Sequence, residues 1–229
     1  MKIFDLEKTM GDFKLQIEHM EIEPGMVHGL IGSNGCGKTT LAKLIMGILP
    51  SDKGHIDYEG LTPRDITMTS QKPYLLHDTV YANVIYPLTI RGIRPDEREV
   101  EKLLEQCGLL EKKTQYARSL SSGEQQKLSF VRALIFRPQL IIVDETLSNL
   151  DPDSTELFED IILEEQKKTP ITFITISHQL VHMRRICDRL HFLDKGKLIA
   201  EGTVSELLIH PEHPAVKNFL AKTEVSFQG

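Results

Sequence analysis

Between Gly32 and Thr40 the chain reads GSNGCGKTT. Gly32, Gly37, Lys38 and Thr39 satisfy the pattern G-x-x-x-x-G-K-[ST]. Its glycines let the backbone curl through Ser33, Asn34, Gly35 and Cys36, so that successive N–H groups point at phosphate oxygens. A helix beginning near Lys38 adds its positive dipole end. In this pattern Lys38 neutralises β- and γ-phosphates, Thr39 offers its hydroxyl to magnesium, and Thr40 is an additional phosphate donor. A chance match in a chain this long is about one in a hundred at average residue usage. Cys36 is read as a small filler rather than a redox sensor.

A second acidic site lies at LIIVDE, Leu140 to Glu145. An apolar strand there delivers Asp144 and Glu145 at its carboxyl end, where open α/β sheets place their ligands. Asp144 is the candidate to hold magnesium, directly or through water. Glu145 is the candidate to polarise the water that attacks a γ-phosphate. An apolar run ending in two acids is also what a solvated strand end looks like, so this site gains weight only beside the first.

The elements that must position these residues follow from periodicity. MVHGLIG from Met26 predicts a strand, and Leu41, Leu44, Ile45 and Ile48 predict a helix over Lys38 to Leu49, stopped by Pro50. GHIDYEG from Gly54 predicts a short strand. Leu140 to Val143 and Ile171 to Ile176 are buried-strand candidates, each followed by polar residues and a helical pattern. Strands alternating with helices imply a parallel sheet covered on both faces. From Tyr74 to Phe136 the pattern is mostly helical, with Gly108 suited to a C-terminal cap. LHFLDKGKLIAEG from Leu190 predicts two strands joined at Asp194 to Gly196, and Val204 to Leu208 the start of a last helix. The terminal KTEVSFQG carries too little pattern to place.

The 229 residues, 26% charged and 40% hydrophobic, are ordinary globular values. A formal charge of −6 argues against a nucleic-acid partner. Cys36, Cys107 and Cys187 are scattered, with no CxxC pair, which fits a reducing compartment and neither a disulfide framework nor a zinc site. No apolar run approaches the ~20 residues of a membrane span. Asp5, Glu7 and Lys8 stand where a signal peptide would be apolar. These features predict a cytoplasmic protein.

At Leu120 the chain reads LSSGEQQKLSFVRAL. Here it resembles the ATPase cassette of ATP-binding cassette (ABC) transporters, whose signature is LSGGQ. The resemblance spans nearly the whole chain: the phosphate loop, Gln71 after a strand, the signature, LIIVDE, SNLD at Ser148 to Asp151, and His178, in family order. It implies an α/β fold of the P-loop NTPase (RecA-like) kind, a mainly parallel sheet core with an antiparallel β part and an inserted helical subdomain. The implied organisation is a single ABC ATPase domain over 1–229. Residues 1–73 and 137–208 form the nucleotide-binding core, 74–136 the helical subdomain with the signature, and 209–229 a C-terminal helix and tail.

By the same resemblance, ATP with Mg2+ is sandwiched between the phosphate loop of one cassette and Ser121, Ser122, Gly123 and Glu124 of a second, implying a dimer. Gln71 contacts magnesium or the attacking water, Asp151 bridges the cassettes, and His178 holds the γ-phosphate. Ser121 and Glu124 also read, on their own terms, as a capping box opening a helix. The implied function is ATP hydrolysis powering a separate transmembrane permease from the inner membrane face. The permease would dock near Tyr74 to Tyr86, although most apolar residues there also read as the subdomain's own core. The single-cassette layout and the ending EGTVSELLIHPEHPAVKNFL resemble importer subunits, which work with an extracytoplasmic substrate-binding protein. The alternative is a soluble cassette ATPase acting on ribosomes or DNA, but neither a tandem cassette nor a coiled-coil insertion is present. A catalytically dead cassette is disfavoured by Lys38, Asp144, Glu145 and His178, and a GTPase by the absence of NKxD.

The chain departs from the family at four places. Ser122 replaces a glycine, and would be strained if that position needs positive φ. Glu124 replaces the signature glutamine, and Thr146 a proline. Thr9 and Met10 stand where the family has an adenine-stacking aromatic, leaving Phe4 or Phe13 as substitutes and predicting loose nucleobase discrimination.

Overall fold

A computed structural model describes residues 1–70, 72–144 and 151–225. A nine-stranded sheet of order β4-β1-β2-β9-β8-β3-β7-β6-β5 runs through it. The strands are β1 (Lys2–Met10), β2 (Phe13–Glu21), β3 (Val27–Ile31), β4 (Lys53–Asp57), β5 (Ile66–Ser70), β6 (Leu140–Asp144), β7 (Thr172–Ile176), β8 (Arg189–Asp194) and β9 (Lys197–Thr203). From β8 through β3, β7 and β6 to β5 all neighbours are parallel, while β4-β1-β2 and β8-β9 are antiparallel. The two parts meet at β2 and β9 through a single paired position, Gln16 with Lys197.

Among the described residues seven α-helices flank the sheet: α1 (Lys38–Ile45), α2 (Val80–Thr89), α3 (Glu97–Gln106), α4 (Ser122–Leu134), α5 (Pro152–Lys168), α6 (Leu180–Ile186) and α7 (Pro214–Val225). β6 shows why parallel strands read as unbroken apolar runs. Ile141 and Val143 enter the core packed by α4, α5 and α6, while Leu140 and Ile142 enter the core beneath α1. Residues 74–136 contain α2, α3 and α4, as the helical pattern predicts.

Three predicted boundaries shift. α1 stops at Ile45 rather than Leu49, because Gly47 takes φ 68° and closes a Schellman turn, with Gly47 N–H on Leu44 O and Ile48 N–H on Lys43 O. Gly108 ends α3 in the same way, as predicted. The helix predicted from Val204 is instead a five-residue π-helical turn, Ser205–Ile209, followed after Pro211 by the separate α7. α7 also takes in Lys222 to Val225, which carried no readable pattern. The β8–β9 hairpin turns where predicted, with Lys195 and Gly196 both at positive φ.

Candidate functional site

The phosphate loop leaves the carboxyl end of β3 and enters α1 at Lys38. Gly32 has φ 143°, and a Cβ there would lie 2.1 Å from the carbonyl oxygen of Leu193 on β8. Gly37, the N-cap of α1, has φ 112°, and a Cβ would lie 3.0 Å from Phe13 Cζ and 2.8 Å from a methyl of Leu15. Glycine is required at both for conformation and for space. No side chain caps α1 and no acid stands in its first turn. Its first N–H groups are therefore left for an anion.

Lys38 is buried, and its Nζ donates to the carbonyls of Gly32 at 2.8 Å and Ser33 at 3.1 Å, so the loop's own backbone aims the ammonium into the cradle. Cys36 is buried beside it, and burial pushes its thiol above the usual range against the pull of Lys38. It is a protonated filler.

Asp144 ends β6, and the Thr39 hydroxyl donates to its Oδ1 at 3.3 Å. A hydroxyl and a carboxylate facing each other beside the phosphate loop suit a hard cation that takes oxygen ligands. Among the described residues no cluster of three or more His, Cys, Asp or Glu has metal-binding geometry.

His178 follows β7 by two residues. Ser177, between them, is buried and accepts the Gln179 N–H on its Oγ at 3.0 Å, which turns the chain and leaves His178 exposed. A cleft of about 370 Å³ brings His178 together with Asn34, Gly35, Gly37, Lys38, Thr39, Thr40 and Phe13. Of the two aromatic candidates, Phe13 reaches this cleft. Phe4 instead packs between His19 and His55, 5.4 and 5.2 Å away between centroids. Met10 is half exposed, its sulfur 4.0 Å from the Thr40 hydroxyl.

The signature residues do not line this cleft. Ser121 caps α4: its Oγ accepts from Glu124 N at 3.3 Å, and Glu124 Oε2 accepts from Ser121 N at 2.9 Å. Ser122 is the first helical residue and its φ is negative, as is that of Gly123, so the serine is accommodated without strain. Glu124 also pairs with Lys112, which with the Ser121 N–H holds its carboxyl below the usual range. Asp151 caps α5, accepting Ser154 N–H at 2.9 Å and Ser154 Oγ–H at 2.7 Å, with Pro152 at the first helical position. Gln71, Glu145, Thr146 and Ser148 lie outside the described residues, Gln71 directly after β5 and Glu145 directly after β6.

Sequence reasoning missed Lys112 and Ser177. Lys112 meets Glu124 across an irregular stretch that no periodicity predicts. Ser177 is adjacent to His178, and its habit of turning the backbone was the available signal.

A parallel sheet whose strand ends converge on a glycine-rich loop, an uncapped helix start and a threonine–aspartate pair defines a nucleotide-hydrolysing P-loop protein. Residues 15–148 match the family described as ABC transporter. The chain is 36% identical over 203 residues to the tungstate uptake system ATP-binding protein TupC of Peptoclostridium acidaminophilum, covering 86% of this chain and 95% of that one. It is 35% identical over 220 residues to the methionine import ATP-binding protein MetN of Xanthomonas campestris pv. campestris, covering 90% of this chain and 66% of that longer protein. Among solved structures, an ATP-binding cassette of an ABC transporter in its ADP conformation aligns with TM-score 0.75 at 27% identity, covering 100% of this chain and 98% of that one. The ATP-binding subunit of an ABC transporter shares the fold with TM-score 0.82 at 23% identity, covering 100% and 99%. The chain belongs to the ABC transporter ATP-binding family and is an ATPase.

Proposed function

We propose that this chain is the ATP-hydrolysing subunit of an importer, working as a dimer of identical cassettes on a separate permease. One observation carries the dimer: the phosphate cradle and the start of α4 are separate places in the chain, and a second copy can bring them together. Lys38 and the α1 N–H groups bind the phosphates, Phe13 offers a face to the base, and His178 holds the γ-phosphate. Thr39 and Asp144, with Gln71, hold magnesium, which when bound neutralises charge on the β- and γ-oxygens. Glu145 orients the attacking water and takes its proton. Ser121, Ser122, Gly123 and Glu124 of the second copy close over the γ-phosphate, and Asp151 spans the two copies.

Import is supported by the names of the relatives, tungstate uptake and methionine import. The permease would seat in a groove where residues 74–136, the proposed helical subdomain, meet β5. That groove is lined by Tyr74, Leu76, Tyr86, Ile90 and Phe136, and Tyr74 is 72% and Ile90 57% exposed. Among the described residues no helix is long and apolar enough to cross a membrane, in keeping with attachment to the inner face through the permease. An extracytoplasmic binding protein would deliver the substrate.

Glu145→Gln tests the reading. It should bind ATP with unchanged affinity, lose turnover by about a hundredfold or more, and collect as a dimer in size-exclusion chromatography with ATP. Undiminished turnover would remove Glu145 as the base, and specific activity independent of protein concentration would remove the dimer.

A further inference from the structure

Glu159, on α5, is 2% exposed and serves no step described above. Its carboxylate takes partners from α6: His182 Nδ1 lies 2.6 Å from Oε1, and Arg185 Nη1 donates to Oε2 at 2.5 Å. The other arm of the guanidinium donates to Asp160 at 2.8 Å and Glu156 at 3.3 Å, both also on α5. Little more than one turn of α5 thus holds one face of α6.

One of the helices so joined, α6, begins just after a proposed reacting group. α5 starts at Pro152, beyond the stretch that opens with Glu145, and α6 starts at Leu180, two residues after His178. α6 has seven residues and its N-cap, Gln179, makes no side-chain cap bond, so it has little stability of its own. Met183 and Ile186 bury its apolar face. Burial is non-directional and fixes how deep the helix sits, but not how far it slides or turns against α5. Two charge-assisted hydrogen bonds to a buried carboxylate are short and directional, and they fix that remaining freedom. Stability alone gives little reason for the whole cluster, because well-packed apolar residues in place of every member of a buried ion pair are often neutral or stabilising.

We propose that Glu159 is a positioning residue: by clamping His182 and Arg185 it sets α6 against α5, and so places His178 against the γ-phosphate. This rests on the role given to His178 above. The test is Glu159→Leu and Glu159→Gln in the full chain, alone and combined with His178→Ala, at protein concentrations where specific activity has stopped rising. Glu159→Leu should lower kcat about tenfold or more, since small misplacements of a reacting group are costly. The ATP dissociation constant should stay unchanged, and because Tm should fall when His182 and Arg185 lose their buried partner, kcat is measured well below the Tm of each variant, where every chain is folded. Glu159→Gln, which can still accept one hydrogen bond, should lose less. In the His178→Ala background neither should lower kcat further. Full independent losses in that background, or a kcat that falls only in step with Tm, would overturn the clamp. Wild-type kcat in His178→Ala alone would overturn the role of His178, and the clamp with it.

Discussion

Two helix starts in this chain are the ones proposed to meet phosphate, and they are built in opposite ways. α1 begins with a glycine at φ 112°, has no side-chain cap and has no acid in its first turn. α4 begins with a complete capping box and an acid, Glu124, at the third helical position. Both present free N–H groups and a positive dipole end. Among the described residues the first has no side chain capping its donors, whereas the second satisfies two donors internally and brings a negative charge that Lys112 offsets. α1 is therefore built to hold an anion by itself. α4 stands capped without one, and in the proposed dimer its remaining donors are added when the second copy brings an anion to it.

The contrast can be broken in four places. Lys38→Ala removes the charge that completes the α1 site and should weaken ATP binding about a hundredfold, the loss of charge-assisted hydrogen bonds worth ~3 kcal/mol. Unchanged binding by calorimetry would sink the cradle. Phe13→Ala should cost about tenfold in ATP affinity and about as much for GTP, because stacking on a ring is worth ~1–3 kcal/mol and is indifferent to the base. A loss confined to ATP would give Phe13 a role in base selection. Ser121→Ala should lower stability by about 1 kcal/mol in urea unfolding, through the lost cap, while leaving ATP binding to dilute chains untouched. If ATP binding fell as well, the two helix starts would not be separable. Glu124→Gln is the smallest change. By removing an anion from the α4 start it should lower the protein concentration for half-maximal turnover about twofold, and more at low salt. No shift at any ionic strength would mean that Lys112 already cancels the charge fully.

Much of the candidate site's layout was readable because the residues that make it are close in sequence. Gly32 through Thr40 is one continuous loop, and Asp144 ends a five-residue strand with every residue buried. Ser121 and Glu124 are three residues apart, the reach of a capping box, and the structure contains it. What was not readable depends on the sheet order. Nothing in Phe13 or Phe4 alone says which meets the loop. The answer comes from β2 lying beside β9, so that Phe13 reaches Gly37. The strain expected at Ser122 rested on an assumption about φ that the start of α4 removes. The helix predicted across Val204 to Leu208 had the right period but lacked the length, since Pro211 and Pro214 follow too closely.

The sheet is continuous on paper but sewn by one stitch: β2 meets β9 only through Gln16 and Lys197, with Gln16 N–H on Gly196 O at 2.6 Å. The antiparallel wing that carries Met10 and Phe13 is otherwise held by side chains, Leu6, Leu15 and Ile17 packing with Leu30, Leu41 and Ile174. A nucleotide bound as proposed, between Phe13 and Lys38, would straddle that seam and act as a second fastener. Amide hydrogen exchange in β1 and β2 should therefore slow when ATP binds, although neither strand touches a phosphate, and the wing becomes a gauge of occupancy that can be followed without measuring hydrolysis.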